Sequence, residues 1–171
     1  YPLFFVVATQ NPVEFEGTYT LPLAQLDRFL MRLVIGVPDA EEEKGILTDD
    51  PSHRVLPTLA PVATRQQVVA AQEAAGTVYC RERLLEAMVS MVNQIRQDDR
   101  VTYGVSPRGT LMLLAAARAK ALISKREYVT DEDILAVAGP VLNHRIVCRD
   151  RATAATVVEE AGRATLGMLH R

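Results

Sequence analysis

Four polar residues, Asp39, Thr64, Ser106 and Thr130, each stand immediately before a segment that suits a helix. This punctuation constrains the chain more than anything else in it, because a side-chain oxygen at that position accepts an otherwise orphaned N–H of the first helical turn. Asp39 precedes Glu41, Glu42 and Glu43, carboxylates that suit the positive end of a helix dipole. Thr64 has Gln67 three residues on, a reciprocal capping pair. Ser106-Pro107 reads as cap and first helical residue of a long Ala/Leu helix reaching about Ser124. Thr130, followed by Asp131, Glu132 and Asp133, opens a helix through about Leu142. Leu84, Met88, Val92 and Ile95 recur at helical spacing and predict an amphipathic helix over 81–97. A last helix is expected over 153–169, weakened by Gly162 and Gly167.

The first 38 residues differ in character. Residues 3–9 (LFFVVAT) are continuously apolar and rich in β-branched and aromatic types, which predicts a strand buried on both faces. Gln10-Asn11-Pro12 then marks a turn. A helix is expected from Pro22 to Leu30, and a second short buried strand over 33–37, stopped by Pro38. Two such strands cannot stand alone, since buried parallel strands need neighbours. Residues 49–63 hold three prolines and read as a loop. Val78-Tyr79-Cys80, Tyr128-Val129 and Ile146-Val147 are β-like stretches among the helices, and Arg145 to Cys148 reads as a short strand. The expected fold is therefore mostly α, with two short strands ahead of a helical bundle.

Composition excludes several classes. A net charge of −2 across 171 residues gives no basic excess to favour nucleic acid or an anionic membrane. No run of 18 apolar residues predicts a membrane span. Cys80 and Cys148 are too few for a disulfide framework, and they share no metal-ligand spacing with His53, His144 and His170. No metal site is expected, and a reducing cytoplasm is the default compartment.

Three separated elements can carry chemistry. Asn11 lies just past the end of the first predicted strand, where ligands of open α/β sheets bind, and its amide can hold a water or a phosphate oxygen. Asp27-Arg28 is a charge pair in an otherwise apolar helix end. It reads either as a solvated pair or as an arginine projected to a subunit boundary, where a planar guanidinium can fork onto phosphate. Ser106-Pro107 puts Arg108 in the first turn of a helix, an end that attracts anions; plain capping with an exposed Arg108 is the alternative.

Together these elements resemble the MoxR-type AAA+ ATPases. The resemblance is carried by Phe5 to Pro12 (FVVATQNP), by Glu16-Gly17-Thr18-Tyr19 and Leu21-Pro22, and by Ala24-Gln25-Leu26-Asp27-Arg28-Phe29. Ser106-Pro107-Arg108, Tyr128 to Ile134 (YVTDEDI) and Val141-Leu142-Asn143-His144-Arg145 resemble that family's lid. Thr20 and Leu23 depart from the usual Pro and Glu. The resemblance implies that residues 1–38 end an α/β nucleotide-binding core and that 39–171 form a helical region, with the lid proper at about 100–171. It implies that Asn11 is sensor 1, orienting the attacking water. Arg28 is implied as the arginine finger reaching a neighbouring subunit's nucleotide, and Arg108 as sensor 2, acting in cis or in trans.

No GxxxxGK[ST] occurs, and no apolar run ends in Asp-Glu, so the phosphate loop and the magnesium-binding carboxylates are not in this sequence. The expectation is a C-terminal portion of a longer ATPase. That full-length protein would use ATP and Mg2+, while the portion alone would bind neither and hydrolyse nothing. The family implies a homo-oligomeric ring, expected as a hexamer, chaperone-like remodelling or maturation of partner proteins, and a partner bearing a von Willebrand A-type domain. The alternatives are a non-enzymatic helical interaction module and a chelatase-like motor subunit. The codons upstream of Tyr1 distinguish the first alternative, and the partners distinguish the second.

Overall fold

The structure, a computed structural model, describes residues 3–10, 21–149 and 153–167. Its helices run in the order α1 (Leu23–Leu26), α2 (Ala40–Asp49), α3 (Arg65–Thr77), α4 (Glu82–Gln97), α5 (Pro107–Ile123), α6 (Asp131–Leu142) and α7 (Ala154–Thr165). Two short strands, β1 (Val101–Tyr103) and β2 (Val147–Cys148), pair antiparallel. The fold is mostly helical, as the capping pattern required.

The caps form as the sequence predicts. Asp39 with Glu42, Thr64 with Gln67, and Thr130 with Asp133 close reciprocal capping boxes. Ser106 accepts the Gly109 N–H at the start of α5, and Pro107 takes the first helical position, where its missing N–H costs nothing. Thr153 caps α7 through the Thr156 N–H.

The core sits among α4, α5, α6 and α7. Met88, Met91 and Ile95 of α4, Leu113 and Ala117 of α5, Ile134 and Val141 of α6, and Val157 of α7 are buried. Burying a Met, Leu, Ile or Val side chain stabilises by about 1.5–3 kcal/mol relative to exposure. Gly162 does not weaken α7 so much as permit it: a Cβ there would lie 2.8 Å from a Leu135 methyl of α6. Val78 to Cys80 joins the bundle edge through a bridge in which Tyr79 pairs with Tyr128. Behind that bridge Arg126 grips the buried Asp133 carboxylate. Burial alone would raise the Asp133 pKa, but hydrogen bonds from Arg126 and Thr130 outweigh it and the net shift is downward.

Four expectations need correction, the first being the loop at 49–63, where Pro51–Val55 forms a π-helical turn and Leu56–Thr58 a 3-10 turn. The strands expected at 3–9 and 33–37 do not form. Both segments lack strand pairing, and Phe4, Phe5, Val34, Ile35 and Val37 are each more than four-fifths exposed. The reason is physical: a strand of this kind is held by partners on its edges, and the described residues offer none. The helix expected over 22–30 contracts to Leu23–Leu26, continued to Phe29 by tight turns. Between the helix expected over 81–97 and the cap at Ser106, where the sequence indicates no strand, lies β1, which pairs with β2 inside the segment anticipated for a strand.

Candidate functional site

The site begins with the placement of the turn that follows α1. Its backbone leaves the short helix with Arg28 N–H bonded to the Gln25 carbonyl and Phe29 N–H to the Leu26 carbonyl. The chain then docks on the end of α6, where the Arg32 N–H donates to the Pro140 carbonyl at 2.9 Å.

A single buried guanidinium organises this contact. Arg145, in a 3-10 turn just after α6, has a side chain 1% exposed. Its Nη2 donates to the carbonyls of Asp27 (3.1 Å) and Phe29 (2.5 Å), and Nη1 makes a long contact of 3.4 Å with that of Leu30. Its Nε lies 3.1 Å from Asp27 Oδ1, an ion pair whose N–H direction misses an aligned hydrogen bond. Nη1 also donates to the Val141 carbonyl and lies 2.6 Å from His144 Nε2. Burial pushes the Arg145 pKa down, Asp27 pulls it up, and the nearby Arg108 charge lowers it again. The group nonetheless stays charged, as guanidinium does in proteins.

The second arm of the contact is Ser106. Its hydroxyl donates to the Asp27 carboxylate, 3.1 and 3.2 Å from the two oxygens, while it accepts the Gly109 N–H at 3.3 Å. One hydroxyl thus caps α5 and holds Asp27 at once. Arg96 fixes the approach to this cap by donating from Nε to the Val105 carbonyl at 2.8 Å. Gly109 leaves room for the Arg145 stem, since a Cβ there would meet Val105 Cγ1 at 2.6 Å and Arg145 Cδ at 3.0 Å.

His144 completes the cluster from the inside. Its ring is buried, with Nε2 also 3.2 Å from the Phe29 carbonyl. Desolvation, then the Arg145 charge, lower its pKa below 6.5. A neutral ring whose Nε2 accepts from Arg145 fits the lowered pKa, and the Phe29 carbonyl then accepts from Arg145 Nη2 rather than from the ring.

Arg28 and Arg108 flank this cluster. Both side chains are exposed, and neither has a hydrogen bond or an ion pair among the described residues. Arg28 follows Asp27 directly, and Arg108 lies two residues past Ser106, so the Asp27–Ser106 bond brings their two chain segments together. Asn11 lies outside the described residues. Among the described residues, no group of three or more His, Cys, Asp or Glu side chains could hold a metal ion, so no Mg2+ ligand set is drawn from them. No described helix is long and apolar enough to cross a membrane.

The comparisons with known proteins fall on these same segments. The family model of the ATPases associated with various cellular activities (AAA) matches residues 1–31, which include Asn11 and Arg28. The AAA lid domain model matches residues 93–161, which include Ser106, Arg108 and Arg145. Chaperone MoxR1 of Mycobacterium tuberculosis is 36% identical over 158 residues, covering 84% of the chain and 40% of that protein. Protein MoxR of Paracoccus denitrificans is 32% identical over 168 residues, covering 85% of the chain and 49% of that protein. The chain belongs to the MoxR family of AAA+ ATPases. YeaC of Bacillus subtilis is also similar to this MoxR-family chain, at 41% identity over 158 residues, 92% of the chain and 49% of YeaC. The crystal structure of a candidate ATPase from Cytophaga hutchinsonii superposes with a TM-score of 0.81 at 28% identity, covering 90% of the chain and 51% of that structure. The MoxR-family chain therefore spans about half the length of the curated relatives it matches.

The sequence singles out Arg28 and Arg108 but not Arg145, which holds the backbone around Arg28 and lies against Gly109, next to Arg108. In the sequence Arg145 marks the start of a predicted strand, and Asp27 pairs with its own neighbour. The one available signal was a guanidinium set between Leu142 and Ile146-Val147, an apolar setting in which a charge requires a partner.

Proposed function

We propose that this chain is the nucleotide-sensing and lid portion of a ring-forming MoxR-type ATPase. Residues 1–38 would end the nucleotide-binding core, and 39–171 would form the helical region, with the lid proper at about 100–171. In the full-length protein, which would use ATP and Mg2+, Asn11 orients the attacking water and Arg28 reaches the terminal phosphate held by a neighbouring protomer. Arg108 ties the lid to that phosphate. The observation that carries this reading is the docking of the Arg28 turn on the N-terminal end of the Arg108 helix through Asp27, Ser106 and Arg145. It leaves two exposed cations beside a helix end whose dipole favours anions.

Phosphoryl transfer asks a protein mainly to position groups and neutralise developing charge. A guanidinium does both, because it is always charged and forks onto two oxygens. Hydrolysis would remove the phosphate that Arg28 and Arg108 hold in common, and the lid would then move as a rigid body. The work done would be chaperone-like remodelling or maturation of a partner protein, in the cytoplasm, by a hexameric ring, with a von Willebrand A-type domain as the partner class.

The test is turnover by the full-length protein. Arg28→Ala is expected to lower the rate by about 10³–10⁵ while sparing ATP binding. Arg108→Ala is expected to change ATP affinity or rate. The chain by itself is expected to hydrolyse nothing. Retained turnover in Arg28→Ala would remove Arg28 from the finger role.

A further inference from the structure

We infer that Asp27 and Arg145 are positioning residues for Arg28: the buried Arg145 fork, together with the Asp27–Ser106 bond, locks the turn carrying Arg28 to the cap of the helix carrying Arg108. The finger presented to the next protomer then moves with the lid. This inference rests on the role proposed above for Arg28.

The geometry singles out that turn. Arg145 contacts the carbonyls of Asp27, Phe29 and Leu30, which bracket Arg28 on both sides. The Asp27 carboxylate, whose side chain is 22% exposed, is shared between Arg145 and the Ser106 hydroxyl. Arg145 is itself held from behind by the Val141 carbonyl and His144, contacts that do not involve the turn. Its stem passes over Gly109, one residue after Arg108. Arg145 therefore holds the backbone on either side of Arg28 and lies against Gly109, the residue that follows Arg108.

The apolar core of the bundle is built from other residues. Replacing a buried ion pair by well-packed apolar groups is often neutral or stabilising, so such a pair is better explained by the geometry it fixes. A finger placed by a rigid contact rather than by its own flexible stem meets the phosphate without an ordering cost at the moment of reaction. Asp27 also neutralises Arg145, which leaves the charges of Arg28 and Arg108 available to an anion.

The inference has a test in the full-length ATPase, with Arg28→Ala as the reference. Asp27→Asn keeps the shape of the side chain and removes its charge. It is expected to lower kcat about ten- to a hundredfold, the effect of misplacing a catalytic group by about 1 Å, with KM for ATP unchanged. Mixed rings supply a readout that a merely structural role would not move. Asp27→Asn protomers keep their own ATP pocket, so turnover is expected to recover when they are mixed with protomers whose pocket is disabled but whose Asp27, Arg28 and Arg145 are intact.

The outcomes separate cleanly. If Arg28→Ala abolishes turnover and Asp27→Asn leaves kcat unchanged, the positioning role is overturned and the finger role stands. If Arg28→Ala itself turns over normally, the finger role fails first. A loss in Asp27→Asn that mixing does not rescue also overturns the positioning role, in favour of simple stabilisation. Should Asp27→Asn fail to fold, Asp27→Glu keeps the charge and displaces it by one methylene, with the same loss and the same rescue expected.

Discussion

Replacing Arg145 by methionine tests the structural half of this account on the chain itself. Methionine fills much of the volume but supplies no donor, so the carbonyls of Asp27, Phe29 and Val141 lose the fork that now holds them. Hydrogen bonds to charged groups are worth about 1.5–3 kcal/mol each, and they do not add when one group makes them all. Breaking a buried ion pair costs about 3–5 kcal/mol. Asp27 reduces that figure, because its carboxylate keeps Ser106 and is partly exposed. The lower end, about 3 kcal/mol, is therefore expected. Urea unfolding followed by circular dichroism reads this as a midpoint lowered by about 1–3 M, given the slopes usual for small proteins. Hydrogen exchange locates the loss: the Arg32 amide, bonded to the Pro140 carbonyl, is expected to lose protection first. Arg145→Lys keeps the charge but not the fork, so an intermediate loss is expected. A loss under about 1 kcal/mol in Arg145→Met with Arg32 still protected would mean that the fork does not hold the turn, since it would fall in the range of ordinary surface changes.

Other residues give independent checks. His144 has a folded pKa below its ordinary 6.5, so the unfolded chain binds more protons in that range and stability rises with pH. The thermal midpoint is expected to fall as pH drops below 6.5 toward the lowered folded value, and His144→Gln is expected to flatten that slope; an unchanged slope would exclude His144 as its source. Gly109→Ala adds a methyl that meets Val105 and Arg145, and overpacking of this kind costs about 1–3 kcal/mol, more than the gain of about 1 kcal/mol in helix propensity. A rise in thermal midpoint would contradict it. Lys125 sits just past α5 at φ 58°, where the Arg126 N–H returns to the Ala121 carbonyl to close the helix. Lys125→Gly relieves that backbone strain and is expected to stabilise by about 0.5–1 kcal/mol in denaturant titration, with destabilisation as the refuting result.

The helical part of this fold was legible because its information is local. A cap at Thr64, Ser106 or Thr130 acts within one turn, so the residue pattern and the structure describe the same atoms. The opening strands, expected from the sequence and absent from the structure, show the limit of local information. Residues 3–9 and 33–37 carry an apolar run that states a need for neighbours, and strand geometry depends on those neighbours being met. The strand β1 was missed for a related reason: Val101–Tyr103 is too short to show a period and is defined by its pairing with β2. The Arg28 and Arg108 motifs could be read because their spacing is short. The node joining them could not, because Asp27 and Arg145 lie 118 positions apart and nothing in the order of residues states that they meet.

Arg28 and Arg108 are proposed to converge on the terminal phosphate of a nucleotide held between adjoining protomers. The most direct measurement is the structure of the assembled full-length protein with a non-hydrolysable ATP analogue. The guanidinium nitrogens of both residues are expected about 2.7–3.2 Å from oxygens of that phosphate, with Asp27, Ser106 and Arg145 still in contact behind them. Either guanidinium turned away from the nucleotide in the assembled state would contradict the account.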